Sequence, residues 1–421
     1  MDRLNVVVRT GYPDFLDLPW HVPLSDWEHE RLVTVVTGIH RHVVRFVQYP
    51  DGMFALKELP GDLAAHEFDT LTWMAEEELP AVTAVGGVYG RHTPDGTALP
   101  DVVITEHLAF SLPYRALFVG PSMPDLHGKL LEAFAELLVR LHLAGLWWGD
   151  CSLSNTLFRR DAGLLSAYLV DTETAEVREQ LTDGQREHDL ILAEENVLGE
   201  LLDLAAGETL QPDVDPVETV HRVRAIYEAL WQELTSDEVF SSNERYRIAE
   251  RLSRLNDLGF DVERIHLTSE GEGYRLALDP HVVEPGHHRR RLARLTGLHV
   301  QENQARRMLN DIATQCSLRA AQTGVEISVQ AGSLRWLTET YEPTLAMVPP
   351  ELRLRLDPPE IYHQILEHRW FLSEQAGRDV GLDVAVESYV NEFLSNAPAE
   401  GRVLEGEDTA AMIRLPLDPS E

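Results

Sequence analysis

Apolar residues recur with a strand-like period in three early stretches, Leu32 to Thr37, Val43 to Tyr49 and Met53 to Leu59. The last two are separated by Pro50-Asp51-Gly52, a strong turn signal, so the pattern predicts a small antiparallel sheet. Residues 1–30 mix Pro, Asp and Trp without a clean period and read as an extended lead-in that packs on the next domain. After the sheet the period becomes helical. Phe68, Leu71, Thr72, Ala75 and Leu79 form one stripe of a helix capped by Asp62 and running to about Glu78, with Glu67 at the stripe's edge. Val102 to Leu108 (VVITEHL) reads as a buried strand leading into a hinge. Leu130, Leu131, Phe134, Leu137, Leu138 and Leu141 then predict a helix over 126–144 that Gly145 stops.

Beyond Gly145 the pattern is strand, turn, strand: Thr156 to Phe158, the Asp and Gly of Arg159 to Gly163, and Leu164 to Val170. Helical patterning resumes after Glu176, and Ala205 to Pro216, rich in Gly, Pro and acids, marks a boundary. Amphipathic helix dominates from there to about residue 396, including VETVHRVRAIYEALWQEL and NERYRIAERLSRLNDLGF, with a strand pair around GEGYRLAL. The expected division is therefore a lead-in at 1–30, a sheet lobe at 31–108, a helical lobe at 109–210, a mainly helical domain at 217–396 and an acidic mobile tail at 397–421. In fold class this is α+β with a helical appendage.

Charge narrows the partners. With 70 acidic against 36 basic side chains the formal charge is −34, which repels a phosphate backbone and excludes nucleic acid as the expected partner. No window is long and apolar enough for a signal peptide or a membrane span, and the two cysteines, Cys151 and Cys316, have no metal-ligand spacing, so a soluble cytoplasmic protein is expected. Only Lys57 and Lys129 are lysines, in a chain that otherwise uses arginine for positive charge. A lysine kept inside FALKEL is consistent with a need for a compact ammonium at that point.

The candidate chemistry centres on GLWWGDCSLSNTLFRRDAGLLSAYLVDTETAE, where Asp150 is followed five residues later by Asn155. That is the spacing of a kinase catalytic loop, in which the Asp orients the attacking hydroxyl and the Asn holds a metal. The predicted fold-back returns Asp171 close to Asn155, so two oxygen ligands could share one Mg²⁺. Upstream, FALK57 fits the strand whose lysine reaches the nucleotide phosphates, and Glu67 could brace it, with Glu76 to Glu78 as the alternatives. Backbone groups at the end of the 102–108 run, around Glu106 and Leu108, would meet adenine. The hairpin expected to cover the nucleotide, TGIHRHVV, holds one glycine, Gly38. His40, Arg41 and His42 could replace the missing amide contacts, or the segment is a solvated turn.

Downstream, Asp189 is the candidate to steady the catalytic loop through its backbone amides, or is an ordinary helix cap. Glu173 adds a second carboxylate beside Asp171. Cys151 reads as a packing residue. Arg289, Arg290, Arg291, Arg294, Arg306 and Arg307 form a basic island that would attract an anionic acceptor or an acidic partner, or would pair with the chain's own carboxylates. His363 and His368 lack a metal-ligand spacing.

Residues about 30–200 resemble the minimal kinase-like fold of lipopolysaccharide kinases of the Kdo/WaaP type, RIO kinases and aminoglycoside phosphotransferases. The carriers are FALK57, Glu67, VVITEHL108, Gly149-Asp150 with Asn155, and LVD171. The whole chain is similar to an actinobacterial family that joins such a lobe pair to a carboxy-terminal domain of unknown function, through SLPYR115, RLNDLGF260, LTGL298, ENQARR307 and EHRW370. The resemblance implies a two-lobed protein-kinase-like fold and an ATP- and Mg²⁺-dependent transfer of phosphate to a hydroxyl acceptor. Two positions depart from the pattern: Trp148 stands where a kinase has His, and Asp171-Thr172-Glu173 replaces Asp-Phe-Gly. The competing expectation is a nucleotide-binding pseudokinase whose helical domain recruits a protein partner.

Overall fold

The computed structural model describes residues 4–35, 42–119, 126–212, 214–235, 238–241, 260–262, 265–270, 273–278, 283–285, 287–323, 328–376 and 380–397. Its first lobe is a six-stranded antiparallel sheet in the order β1-β5-β6-β4-β3-β2. These strands are β1 (Asn5–Val8), β2 (Leu32–Val33), β3 (Val44–Tyr49), β4 (Gly52–Leu59), β5 (Ala84–Tyr89) and β6 (Asp101–Glu106). The lead-in is built into this lobe. Strand β1 pairs with β5, and Phe15, Leu18, Trp20, Leu24 and Trp27 join Val47, Phe54, Leu56 and Ile104 in one buried core. Arg91, 1% exposed, ties the segment down by donating to the carbonyls of Trp20 and Val22 and to the Glu58 carboxylate. Burying that guanidinium is tolerable because carboxylate and carbonyl oxygens take its protons.

Helix α1 (Leu63–Glu76) buries Ala64, Glu67, Thr70, Leu71 and Met74. The buried face is thus displaced from the expected stripe: Ala75 is exposed, Phe68 is only half-buried, and Glu67 lies within the buried face instead of at its edge. The reason is electrostatic. A carboxylate occupies a core-facing position because an ammonium meets it there. Asp62 takes the cap position but its side chain makes no cap hydrogen bond.

The helical lobe continues through β7 (Ser111–Pro113), α2 (Tyr114–Val119) and α3 (Leu126–Leu143), whose Leu130, Phe134, Leu137, Leu138 and Leu141 are buried as the periodicity requires. Strand β8 (Leu146–Trp147) pairs with β11 (Glu176–Val177), and β9 (Thr156–Asp161) lies between β7 and β10 (Leu164–Leu169). Helix α4 (Asp183–Ala206) opens with a capping box made by Thr182 and Gln185, and α5 (Pro216–Thr235) comes next.

The chain forms two units: residues 1–158 with 167–227 and 403–421, and residues 159–166 with 228–402. Described elements of the second unit include the strands β12 (Glu238–Ser241), β13 (Phe260–Val262), β14 (Ile265–Glu270), β15 (Gly273–Leu278) and β16 (Val283–Pro285). Its helices include α6 (His287–Thr296), α7 (Glu302–Thr323), α8 (Val329–Trp336), α9 (Glu342–Met347), α10 (Pro358–Ala376) and α11 (Gly381–Glu392). The strand pair expected around GEGYRLAL is β14–β15. Most of the helix expected over NERYRIAERLSRLNDLGF and all but the first residue of the acidic tail lie outside the described residues.

This unit is held by polar contacts as much as by its core of Leu292, Met308, Ile312, Trp336, Tyr341 and Tyr362. Buried Asp161, at the tip of the β9–β10 hairpin, accepts from the backbone N–H groups of Asn303 (3.2 Å) and Gln304 (2.8 Å) and so caps α7 from a distant stretch of chain. Arg159 pairs with Asp357 at 2.7 Å, and Ala162 N–H donates to Glu360 at 3.0 Å. Glu302 in turn accepts from His288 N–H and caps α6.

Candidate functional site

Lys57 stands in mid-strand, opposite Val44 on β3 and Val103 on β6. Its Nζ donates to Glu67 Oε2 at 2.8 Å and lies 2.6 Å from Asp171 Oδ2. One cation thus serves two carboxylates. Burial works against the Lys57 charge, but Glu67 and Asp171 outweigh it and hold the ammonium above its ordinary pKa. Glu67 bears the complementary cost. Burial, with Asp171 and Glu173 nearby, pushes it up to about 7 against the pull of Lys57. Of the alternatives to Glu67, Glu76 to Glu78 are exposed and at or beyond the end of α1.

The β9–β10 hairpin forms where expected, but Arg159 to Asp161 continue β9 and the turn is confined to Ala162 and Gly163. Val170 N–H donates to the Asn155 carbonyl at 3.1 Å, which brings Asn155 beside the residue preceding Asp171. Asn155 Nδ2 donates to Asp150 O (3.2 Å) and Asp150 Oδ2 (3.1 Å). Asp171 Oδ1 accepts Glu173 N–H at 3.1 Å, and Glu173 meets His42 Nε2 at 2.8 Å. Among the described residues no group of three or more His, Cys, Asp or Glu side chains is placed to hold a metal ion by itself.

The catalytic-loop candidate is braced from α4. Asp189, fully buried, accepts from the N–H groups of Trp148 (2.7 Å) and Gly149 (2.9 Å) and contacts His142 Nε2 at 3.1 Å. Burial lowers the His142 pKa, and a neutral ring suits its place between Asp189 and the Tyr227 hydroxyl. Trp148 is buried in the core against Phe134, and the Thr174 hydroxyl donates to the Trp148 carbonyl at 2.9 Å. Thr172, fully buried, reaches the Glu67 carbonyl at 3.5 Å, so the residue replacing Phe also sits under α1. Cys151 is buried and its thiol pKa is raised well above the ordinary value by that burial.

Residues 53–203 match the Lipopolysaccharide kinase (Kdo/WaaP) family, and residues 229–394 match a domain of unknown function, DUF4032. The chain thus joins a region that matches the Kdo/WaaP kinase family to one that matches DUF4032. A solved structure of WaaP in complex with acyl carrier protein is similar at 16% identity and a TM-score of 0.36, covering 60% of this chain and 99% of that one. No curated protein matches the chain. Among the described residues no helix is long and apolar enough to cross a membrane.

Within the Kdo/WaaP-type region, Glu106 ends β6 with its side chain exposed and accepting the Tyr12 hydroxyl at 3.3 Å. The Leu108 carbonyl accepts the Ser111 hydroxyl at 2.7 Å. Gly38, His40 and Arg41 lie outside the described residues. In the DUF4032 domain, Arg289 is 4.0 Å from Glu302, Arg307 reaches His363 at 2.8 Å and Glu367 at 3.7 Å, Arg290 and Arg306 also have partners, and Arg291 and Arg294 are exposed. His368 meets the Ser388 hydroxyl.

Sequence reasoning missed Thr174, Asn196 and Glu200. The last two come after Asp189 by seven and eleven positions on α4, one helical face, and that spacing was the available signal.

Proposed function

We propose that this chain transfers the γ-phosphoryl group of ATP to a hydroxyl acceptor with the help of Mg²⁺. The carrying observation is the single Lys57 ammonium within 3 Å of both Glu67 and Asp171. Three residues far apart in sequence converge there, on the strand, helix and post-hairpin positions where phosphotransfer needs them.

In this reading Lys57, oriented by Glu67, grips the nucleotide phosphates. Asp150 orients the acceptor hydroxyl and takes its proton as the acceptor oxygen bonds to the γ-phosphorus and the bond to the ADP oxygen breaks. Asn155 and Asp171 fit Mg²⁺. Both offer hard oxygen, and the Asn155 amide nitrogen is spent on Asp150, which turns its carbonyl oxygen the other way. Burial pushes Glu67 upward and Asp171 and Glu173 add to it, and a divalent cation would offset the part that the acids contribute. When bound, the ion would neutralise charge on the transferring phosphoryl group. Backbone groups near Glu106 and Leu108 would meet adenine. A cytoplasmic setting, where ATP is supplied, accompanies this reading.

The test is a thermal-shift titration with ATP and Mg²⁺ followed by turnover of wild type and Asp150→Ala. A rise in melting temperature and turnover that Asp150→Ala abolishes is expected. Binding with no difference in turnover between the two would instead assign the chain to the pseudokinase scaffolds, and no binding would reject both.

A further inference from the structure

We propose that Asn196 is a positioning residue that sets the orientation of the Asp150 carboxylate. The inference rests on the phosphotransfer reading for its consequence and on geometry for its substance. Asp150 has two carboxylate oxygens, and each meets an amide. Oδ2 accepts from Asn155 Nδ2 at 3.1 Å, and Oδ1 accepts from Asn196 Nδ2 at 3.3 Å. The same Asn196 nitrogen donates to the Cys151 carbonyl at 3.0 Å, which fixes it to the loop it orients.

Helix α4 presents three polar side chains to this loop, and their chemistry matches what the loop offers at each point. Asp189 takes the N–H groups of Trp148 and Gly149 at one end. Glu200 takes the N–H groups of Leu153 (3.0 Å) and Ser154 (2.8 Å), and the Ser154 hydroxyl, at the other. Between them the loop presents acceptors, the Cys151 carbonyl and the Asp150 carboxylate, and there the helix carries an amide donor. A carboxylate at 196 would repel Asp150, and a guanidinium or ammonium would hold it in a salt bridge and compete with the acceptor. A neutral donor restrains rotation of the carboxylate while leaving lone pairs for the incoming hydroxyl, which is the positional control that proximity catalysis requires.

Asn196→Asp, nearly isosteric, replaces the donor with an acceptor, and Asn196→Ala removes it. Both should lower kcat at least tenfold with KM for ATP changed less than twofold, because the ion pairs of Lys57 are to Glu67 and Asp171 and none of the three bonds to Asn196. Asn196→Gln, which keeps the donor, should recover part of the lost kcat. A readout independent of turnover is the side-chain amide resonance of Asn196 in protein labelled with ¹⁵N-asparagine. It should move on Asp150→Ala and stay in place on Lys57→Met. An unmoved resonance on Asp150→Ala, or Asn196 variants with wild-type kcat, would overturn the proposal. If the wild type turns over no acceptor, the phosphotransfer reading fails while the amide resonance still decides whether Asn196 holds Asp150.

Discussion

The Val170 backbone N–H donates to the Asn155 carbonyl at 3.1 Å, and that one bond closes the base of the β9–β10 hairpin. Everything between the two residues is an excursion, so the backbone at Asn155 stays next to the residue before Asp171 whatever the hairpin's tip does. The tip itself belongs to the second unit.

Replacing Lys57 with Met leaves Glu67 buried without its cation. Removing one partner of a buried pair costs about 3–5 kcal/mol. Glu67 already sits at about 7 and rises further once Lys57 is gone, so the buried acid protonates near neutral pH. Urea unfolding of Lys57→Met should therefore show a larger loss at pH 8.5 than at pH 6. Equal losses at both values would mean that Glu67 does not carry the charge assigned to it.

Asp161 gives the second unit its own pH dependence. Burial pushes this carboxyl up to about 6, despite the amides that donate to it. Its folded pKa lies above the unfolded value, so its contribution is full below about pH 4 and is lost as pH rises through 6, by roughly 3 kcal/mol at most. Asp161→Asn should flatten that stretch of the stability profile, read by chemical unfolding from pH 4 to 7.5, and should weaken α7, because an amide group would meet the donors at Asn303.

Gly145 adopts φ +86°, and a Cβ there would lie 2.2 Å from the Arg178 carbonyl oxygen, whose own residue donates N–H to the Gly145 carbonyl. Neither the conformation nor the neighbour can yield cheaply. Gly145→Ala should destabilise the protein by about 2 kcal/mol or more, measured as a lower urea midpoint.

Thr174→Val keeps the shape of the side chain and deletes its hydroxyl. The Trp148 carbonyl then loses its donor, for a cost of about 1 kcal/mol in unfolding free energy. Turnover should fall severalfold, because this bond ties the stretch after Asp171 to the residue two positions before Asp150. Unchanged turnover would show that the Asp189 contacts suffice to hold the loop.

Much of the site was legible because its signals are local. The Asp150 to Asn155 spacing, the Gly163 turn signal and the lysine in FALKEL each need only a short window. Asp189 was legible only as one of two readings, a loop brace or an ordinary helix cap, and its bonds to the Trp148 and Gly149 N–H groups favour the brace. What escaped was long-range. Asn196 and Glu200 look like a helix's solvated face until the loop opposite them is known, and Thr174 is an ordinary hydroxyl until the Trp148 carbonyl is placed beside it. The lead-in lacked a period because Phe15, Leu18, Trp20 and Trp27 are delivered to the core by turns and a short 3₁₀ segment, which impose no repeat. Hydrophobic patterning puts Glu67 one step off the buried face because it assigns acids to the outside, and only an ammonium at Lys57 reverses that assignment.

The arrangement at Asp161 bears on how such a chain could be dissected. Eight consecutive residues borrowed from the middle of the kinase-like segment belong to the unit that otherwise begins at 228. No single cut of the polypeptide therefore yields two whole pieces: a fragment ending before 228 keeps a capping carboxylate with no helix to cap, and the complementary fragment keeps a helix start with its distant cap gone.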